Sequence, residues 1–233
     1  MLWGIRPVQQ QAAYGLAVEV LRKQILLGLL LAGEKMPAER KLSEGMNVSR
    51  VTLREALRVL QTEGYISIRR GAHGGAFVAD EDSLLRIALA RAARDPGMVM
   101  RAIEFREANE KVAARYAAGR RTPANLKLMK NALRAIHIAD SPGKLRQAEN
   151  SFHLAVAEAS QNYFLARALE DALAAVFLPP PVGSLEAWCK SSERLRQDLL
   201  TAIEQRDEPE AEAALEAILD ADRARLRSLP KVA

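Results

Sequence analysis

Arg50, Arg54 and Arg58 recur every fourth residue, so on a helix they share one side. Ser49 and Thr52 stand beside the first of them. A guanidinium can pair bidentately with guanine O6 and N7, and hydroxyls suit phosphates or base edges. A helix N-terminus adds its own attraction for phosphate. A second basic feature follows in Arg69-Arg70-Gly71-Ala72-His73-Gly74-Gly75. Its glycines allow close backbone approach to a duplex, with Arg70 or His73 reaching phosphates or the minor groove. A solvated helix face, with Glu44 and Glu55 as ion-pair partners, and a plain hairpin turn stay open as alternatives. A nucleotide-cradling loop is disfavoured, because no Lys-Ser/Thr pair follows the glycines and no helix opens after them.

Other chemistry is sparse. Glu149 and His153 form the one carboxylate–histidine pair at helical spacing, with no nucleophile–base pair and no cofactor loop, so the chain does not read as an enzyme. A single cysteine, Cys189, excludes an internal disulfide framework, a four-cysteine zinc site and a CxxC pair. It reads as a spectator, although Lys190 beside it could lower its pKa. Aromatics at 5% argue against stacking platforms for single strands. The 233 residues carry +5 overall, with a pI near 9.5. Residues 1–80 hold 11 Lys+Arg against 7 Asp+Glu, while residues 81–233 hold 23 against 22. The basic excess therefore sits with the arginines described first, which favours a polyanionic partner for that third. The apolar run Ile25–Ala32 follows Arg22-Lys23 but is too short to span a bilayer. No other segment approaches membrane length, and the expected location is the cytoplasm.

These side chains need elements to hold them. Leu16, Val20, Ile25 and Leu29 predict a helix over about 12–28. Pro37 opens a short second helix that Gly45 closes. Ser49 caps a third, ending near Glu63 before Gly64, with Leu53, Ala56, Leu57 and Leu60 as its buried stripe. Tyr65–Arg70 and Ala76–Val78 read as strands of a hairpin. Asp80-Glu81-Asp82-Ser83 marks a boundary and can cap the next helix, dividing the chain into 1–80 and 81–233. The second part predicts seven helices, over about 83–94, 96–119, 123–139, 141–160, 162–178, 186–206 and 208–228. Pro96, Pro123, Pro142 and Pro179-Pro180-Pro181 separate several of them. Leu126, Met129, Leu133, Ile136, Val156, Leu169, Leu173 and Val176 read as core rather than as a lipid pocket. The fold class is thus mainly α, a helix-turn-helix with a β-hairpin followed by an all-α region.

Three stretches carry a family resemblance: Gly33-Glu34-Lys35-Met36-Pro37-Ala38-Glu39-Arg40-Lys41-Leu42-Ser43, Val48-Ser49-Arg50-Val51-Thr52-Leu53-Arg54-Glu55-Ala56-Leu57, and Gly64 with Arg69-Arg70-Gly71. They resemble the winged helix of GntR-family bacterial repressors. The resemblance implies DNA contacts at Arg40, Ser49, Arg50, Arg54 and Gly71, with Thr52 and Arg70 at less invariant contact positions.

The helical remainder resembles the FCD effector domain of the FadR subfamily, through Glu104-Phe105-Arg106 with Glu110, Glu149-Asn150-Ser151-Phe152-His153, and Leu199-Leu200-Thr201-Ala202-Ile203 with Asp207. Such domains are antiparallel bundles that dimerise and hold a small ligand. Many bind a divalent metal through an Asp, a His four residues on and two further histidines. Glu149 stands at the Asp position and His153 at the first His, but Arg196 and about Ile218 fall at the others. The resemblance therefore implies a degenerate site, with a metal disfavoured and no other cofactor. It places Arg106 and Arg196 as cations able to clamp a carboxylate or phosphate; the alternative is that Arg196 pairs with Glu149. Together these readings imply a homodimeric, ligand-responsive repressor. Its partners are a short DNA palindrome and a small anion, with no membrane; an architectural DNA binder without an effector, or a metal-dependent variant, stands as the alternative.

Overall fold

The computed structural model describes residues 13–71, 74–177 and 183–227. In chain order these form α1 (Ala13–Leu26), α2 (Glu39–Gly45), α3 (Arg50–Thr62), β1 (Ile66–Arg69), β2 (Gly75–Val78), α4 (Glu81–Arg94), α5 (Pro96–Arg120), α6 (Pro123–His137), α7 (Pro142–Ala159), α8 (Tyr163–Ala175), α9 (Leu185–Gln205) and α10 (Glu208–Arg227). The fold is mainly α, as expected, and the expected ends agree to within three residues. The polyproline run and His73 lie outside the described residues.

Local chemistry explains the starts. The Ser49 hydroxyl accepts the Thr52 N–H at 3.0 Å, and Asp80 accepts that of Ser83 at 2.7 Å. Thr122 and Asn125 form a reciprocal capping box at α6. Helix α3 buries Leu53, Ala56, Leu57 and Leu60, the stripe read from spacing. Gly64, at φ 82°, turns the chain into β1, which pairs antiparallel with β2 from Ile66↔Val78 to Arg69↔Gly75. Lys35 adds a bridge to Phe77 at the sheet edge.

Helix α1 departs from the expected face. Leu16 is 61% exposed, Val20 is also exposed, and Leu29 lies past the helix end. The buried positions are Ala17, Val18, Leu21 and Ile25. Expectation followed the bulkiest side chains, whereas α3 and α8 pack against the face bearing small Ala17, which lets helices approach closely. Of the expected core, Met129, Leu133, Ile136 and Val156 join the large aliphatic cluster built by α5, α6, α7, α9 and α10, with Leu126 partly buried against it. Leu169 joins a small separate cluster with Ala113 and Ala157. Leu173 packs elsewhere. With Ala174 and Phe177 it completes the core of α1, α3 and the hairpin, so α8 sits under the N-terminal unit.

Helix α7 makes a second, polar joint with that unit. The last carbonyls of a helix lack partners within it. Arg146 donates to Leu26 O at 2.6 Å and Asn150 to Leu27 O at 3.1 Å, satisfying the end of α1. Arg146 also holds the Glu81 carboxylate with both Nε and Nη2 and stacks 4.3 Å over Phe177.

Candidate DNA-binding surface and effector-domain site

The N-terminal unit presents its cations outward. Arg50 is exposed at the start of α3. Arg54 pairs with Glu39 at 2.9 Å, Arg58 with Glu55 at 2.7 Å and Arg40 with Glu44 at 3.2 Å. All three pairs are solvent-facing, a class worth about 0–1 kcal/mol, so phosphate can displace the carboxylates at small cost. The Ser49 and Thr52 hydroxyls lie 2.8 Å apart, which ties both to the N-terminal turn. At the hairpin, Arg69 stacks 4.1 Å over Phe77 and Lys35 approaches the same ring at 6.0 Å. Arg70 is exposed, and Gly71 at φ 103° makes a turn that an L-side chain would strain. The expected contact residues Arg40, Ser49, Arg50, Thr52, Arg54, Arg70 and Gly71 thus all belong to α2, α3 and the hairpin.

The helical region buries its charges. Arg106, Glu149, His153 and Arg196, expected as one site, belong to one connected network. Arg106 bonds Glu110 through Nε and Asp222 through Nη2 at 3.1 Å. Glu110 meets His153 Nδ1 at 2.7 Å, and His153 Nε2 faces Arg196 Nη2 at 3.1 Å. Since guanidinium only donates, Nε2 must accept, leaving Nδ1–H to donate to Glu110. Arg196 Nη1 bonds Ser192 at 2.8 Å and lies 3.7 Å from Glu149. Glu149 accepts from Ser192 at 2.8 Å, Trp188 at 3.2 Å and Arg225 at 2.8 Å. Arg225 also covers the Trp188 ring at 4.6 Å.

Electrostatics follow from this closure. Burial alone would raise the Glu149 carboxyl, but the Arg196 and Arg225 guanidiniums and the bonds from Arg225 and Ser192 hold it at about 2. Glu110 is likewise pushed up by burial and carried down to about 2 by Arg106 and His153. Burial opposes the charge of Arg106, and Glu110 with Asp222 overcomes it, raising its pKa above the usual arginine value. Three arginines therefore face three carboxylates across the His153 imidazole. The pairing of Arg196 with Glu149 is the arrangement found, so neither Arg196 nor Arg106 is a bare cation. One donor is left over among the described residues: Arg196 Nε is buried without a hydrogen-bond partner there.

The metal set implied by resemblance does not fit. Glu149 and His153 share the α7 face, but the imidazole lone pair that would ligate an ion points at the Arg196 guanidinium. Ile218 lies in the aliphatic core. Among the described residues no group of three His, Cys, Asp or Glu side chains could hold a metal. From α10 the network takes Asp222 and Arg225 instead, and from α5 Glu110. Sequence reasoning missed these roles along with Trp188 and Ser192. A signal was present: Ala211, Leu215, Ile218, Asp222 and Arg225 form one buried stripe, broken by two charges. Lys190 does not lower the Cys189 pKa. Burial and the Glu149 charge push its thiol up, and Lys190 pairs with Glu186 at 2.7 Å.

Comparison with known proteins meets this geometry. Residues 13–78 match the gntR family of bacterial regulatory proteins, and residues 101–221 match the FCD domain. An Escherichia coli protein named for regulation of the L-lactate dehydrogenase operon is 38% identical over 142 residues, which cover 58% of this chain and 54% of that one. The Uxu operon transcriptional regulator of E. coli is 30% identical over 165 residues, covering 69% of this chain and 61% of its own. These matches span little more than half the length of the relatives. The solved structure of E. coli McbR/YncC superposes with a TM-score of 0.55 at 18% identity, covering 94% of this chain and 98% of that one. No described helix is long and apolar enough to cross a membrane. A basic helix-turn-helix with a glycine wing, joined to an FCD bundle and shared with relatives named as regulators rather than enzymes, makes this chain a member of the GntR family of bacterial transcription regulators.

Proposed function

We propose that the protein is a cytoplasmic, homodimeric repressor whose operator affinity is set by a small anionic metabolite. Residues 1–80 act as the DNA-binding head, and residues 81–233 dimerise and hold the effector. Two heads read the halves of a short palindrome, as two-fold symmetry requires. Arg50 and Arg54 meet base edges, Ser49, Thr52 and Arg40 meet the backbone, and Arg70 and Gly71 of the wing lie over the adjacent groove.

The observation that carries the anion reading is the buried Arg196 Nε without an acceptor. An unmet buried donor costs about 1–3 kcal/mol, which a ligand carboxylate or phosphate oxygen there would recover. Arg106, Glu149 and His153 belong to the same network. A relative named for an L-lactate dehydrogenase operon supports a small carboxylate. Helix α7 supplies the coupling, because Glu149 and His153 belong to the charge network while Arg146 and Asn150 hold the end of α1. An effector that rearranges the network in one state moves the helix on which the head rests, and differential affinity for the two states then sets operator affinity.

A thermal-shift screen of the full chain with small carboxylates, sugar acids, amino acids, acyl-CoAs and divalent metals tests this. Stabilisation by a carboxylate or phosphate compound without metal, weakened at least tenfold in Arg196→Ala and also in Arg196→Lys, supports the reading. Arg196→Lys keeps the charge but lacks the Nε donor. Unchanged affinity in both variants overturns the anion site, and stabilisation by zinc or nickel that requires His153 overturns the metal-free site.

A further inference from the structure

Val51 is the most exposed of the large apolar side chains described in the N-terminal unit, at 71%. A lone exposed valine is ordinary on a protein surface. Its place is not. At about 100° per residue, Val51 lies about 160° round α3 from Leu53, almost diametrically opposite the buried stripe. It therefore stands at the middle of the outward face, in the first turn, beside the edge that carries Arg50 and Arg54. Folding does not call for it there: a β-branched residue is a poor helix former, and this one is too exposed for burial to compensate. The polar neighbours in the turn, Ser49 and Thr52, bond each other.

We infer that Val51 is a base-reading residue that contacts the C5-methyl of one thymine in each operator half-site. This rests on α3 being the helix that enters the major groove. In that groove thymine alone among the four bases offers a methyl; the remaining edge atoms are donors and acceptors. An isopropyl group can reward only the methyl, and it leaves the cytosine amino group or adenine edge without a partner. Arg50 and Arg54, which lie about 40° apart on one side of it, suit guanines next to that thymine. Val51 thus sets the one position of the half-site that hydrogen bonding from these arginines cannot read.

The test uses the full-length protein and a duplex selected from a random library. Each thymine of one half-site is replaced in turn by deoxyuridine, which removes only the methyl. At one thymine the wild type loses about fourfold in affinity, the worth of one buried methyl group. Val51→Ala, a surface change that leaves the fold intact, binds the original duplex more weakly and is indifferent to the same replacement. Absence of any deoxyuridine-sensitive thymine, or an equal loss in wild type and Val51→Ala, overturns the inference. Arg50→Ala separates the two levels: if it keeps the wild-type sequence preference, the placement of α3 in the groove fails, and Val51 with it.

Discussion

Replacing Glu149 by Gln probes the buried charge network most directly. The side chain keeps its shape but loses its charge, leaving Arg196 and Arg225, buried to 2% and 5% exposure, facing an amide. Removing one member of a buried ion set costs about 3–5 kcal/mol, because the remaining charge is desolvated without compensation. The carboxyl, held at about 2 against an ordinary 4.5, agrees: that displacement corresponds to about 3 kcal/mol. For a chain of this size the loss lowers Tm by roughly 6–20 °C. The pH dependence carries a second signature. The folded carboxyl has the lower pKa, so the unfolded chain takes up the proton first. Its stabilisation is complete above the ordinary value of 4.5 and drains away as pH falls toward 2. Urea melts between pH 7 and pH 3 should show wild-type stability falling steeply below about pH 5, with Glu110 adding to the same limb, and a shallower fall in Glu149→Gln. Pairing the substitution with Arg225→Met should cost less than the sum of the two single changes. A Glu149→Gln protein within about 0.5 kcal/mol of wild type at pH 7 would refute the network as described, since that is the scatter of indifferent surface changes.

Other consequences are separable. Arg146→Ala removes the bonds to Leu26 O and Glu81, so operator affinity without effector should change less than threefold while the effector's influence on it largely disappears; titrations with and without effector measure both. Ser49→Ala loses the α3 cap and should lower stability by about 1 kcal/mol in denaturant melts. Arg40→Ala should weaken all duplexes alike and reduce the salt dependence of binding by about one counterion, whereas Arg50→Ala should erase preference for the selected duplex. Gly28→Ala puts a Cβ at φ +77°, 3.2 Å from the Gln147 backbone, and should destabilise by more than 1 kcal/mol in the same melts.

The candidate DNA-binding surface was nearly complete in the chain as written. Its signals are local: a cap, an apolar stripe four residues wide, a glycine that closes a helix and arginines at helical spacing. Each is decided within one or two turns, so Arg50 and Arg54 could be placed before any tertiary contact was known. Val51 carries no charge to mark it on such a face, and only the folded structure shows it 71% exposed. In α1 the error ran the other way. Leu16 and Val20 looked like core, but which side of a helix is buried depends on what packs against it, and α3 with α8 chose the face of Ala17 and Leu21.

The helical region divides along the same line. Composition and spacing alone determined seven helices, their capping and most of the aliphatic core, because helical period and turn residues are properties of neighbouring positions. They also placed Glu149 and His153 one turn apart and Arg196 far along the chain. What Arg196 does there was a tertiary decision. Glu110, Ser192, Asp222 and Arg225 come from three other helices, and only their convergence makes a buried neutral cluster in place of a ring of metal ligands. A charge in a low-dielectric interior is defined by its partners, and those lie up to 116 residues apart.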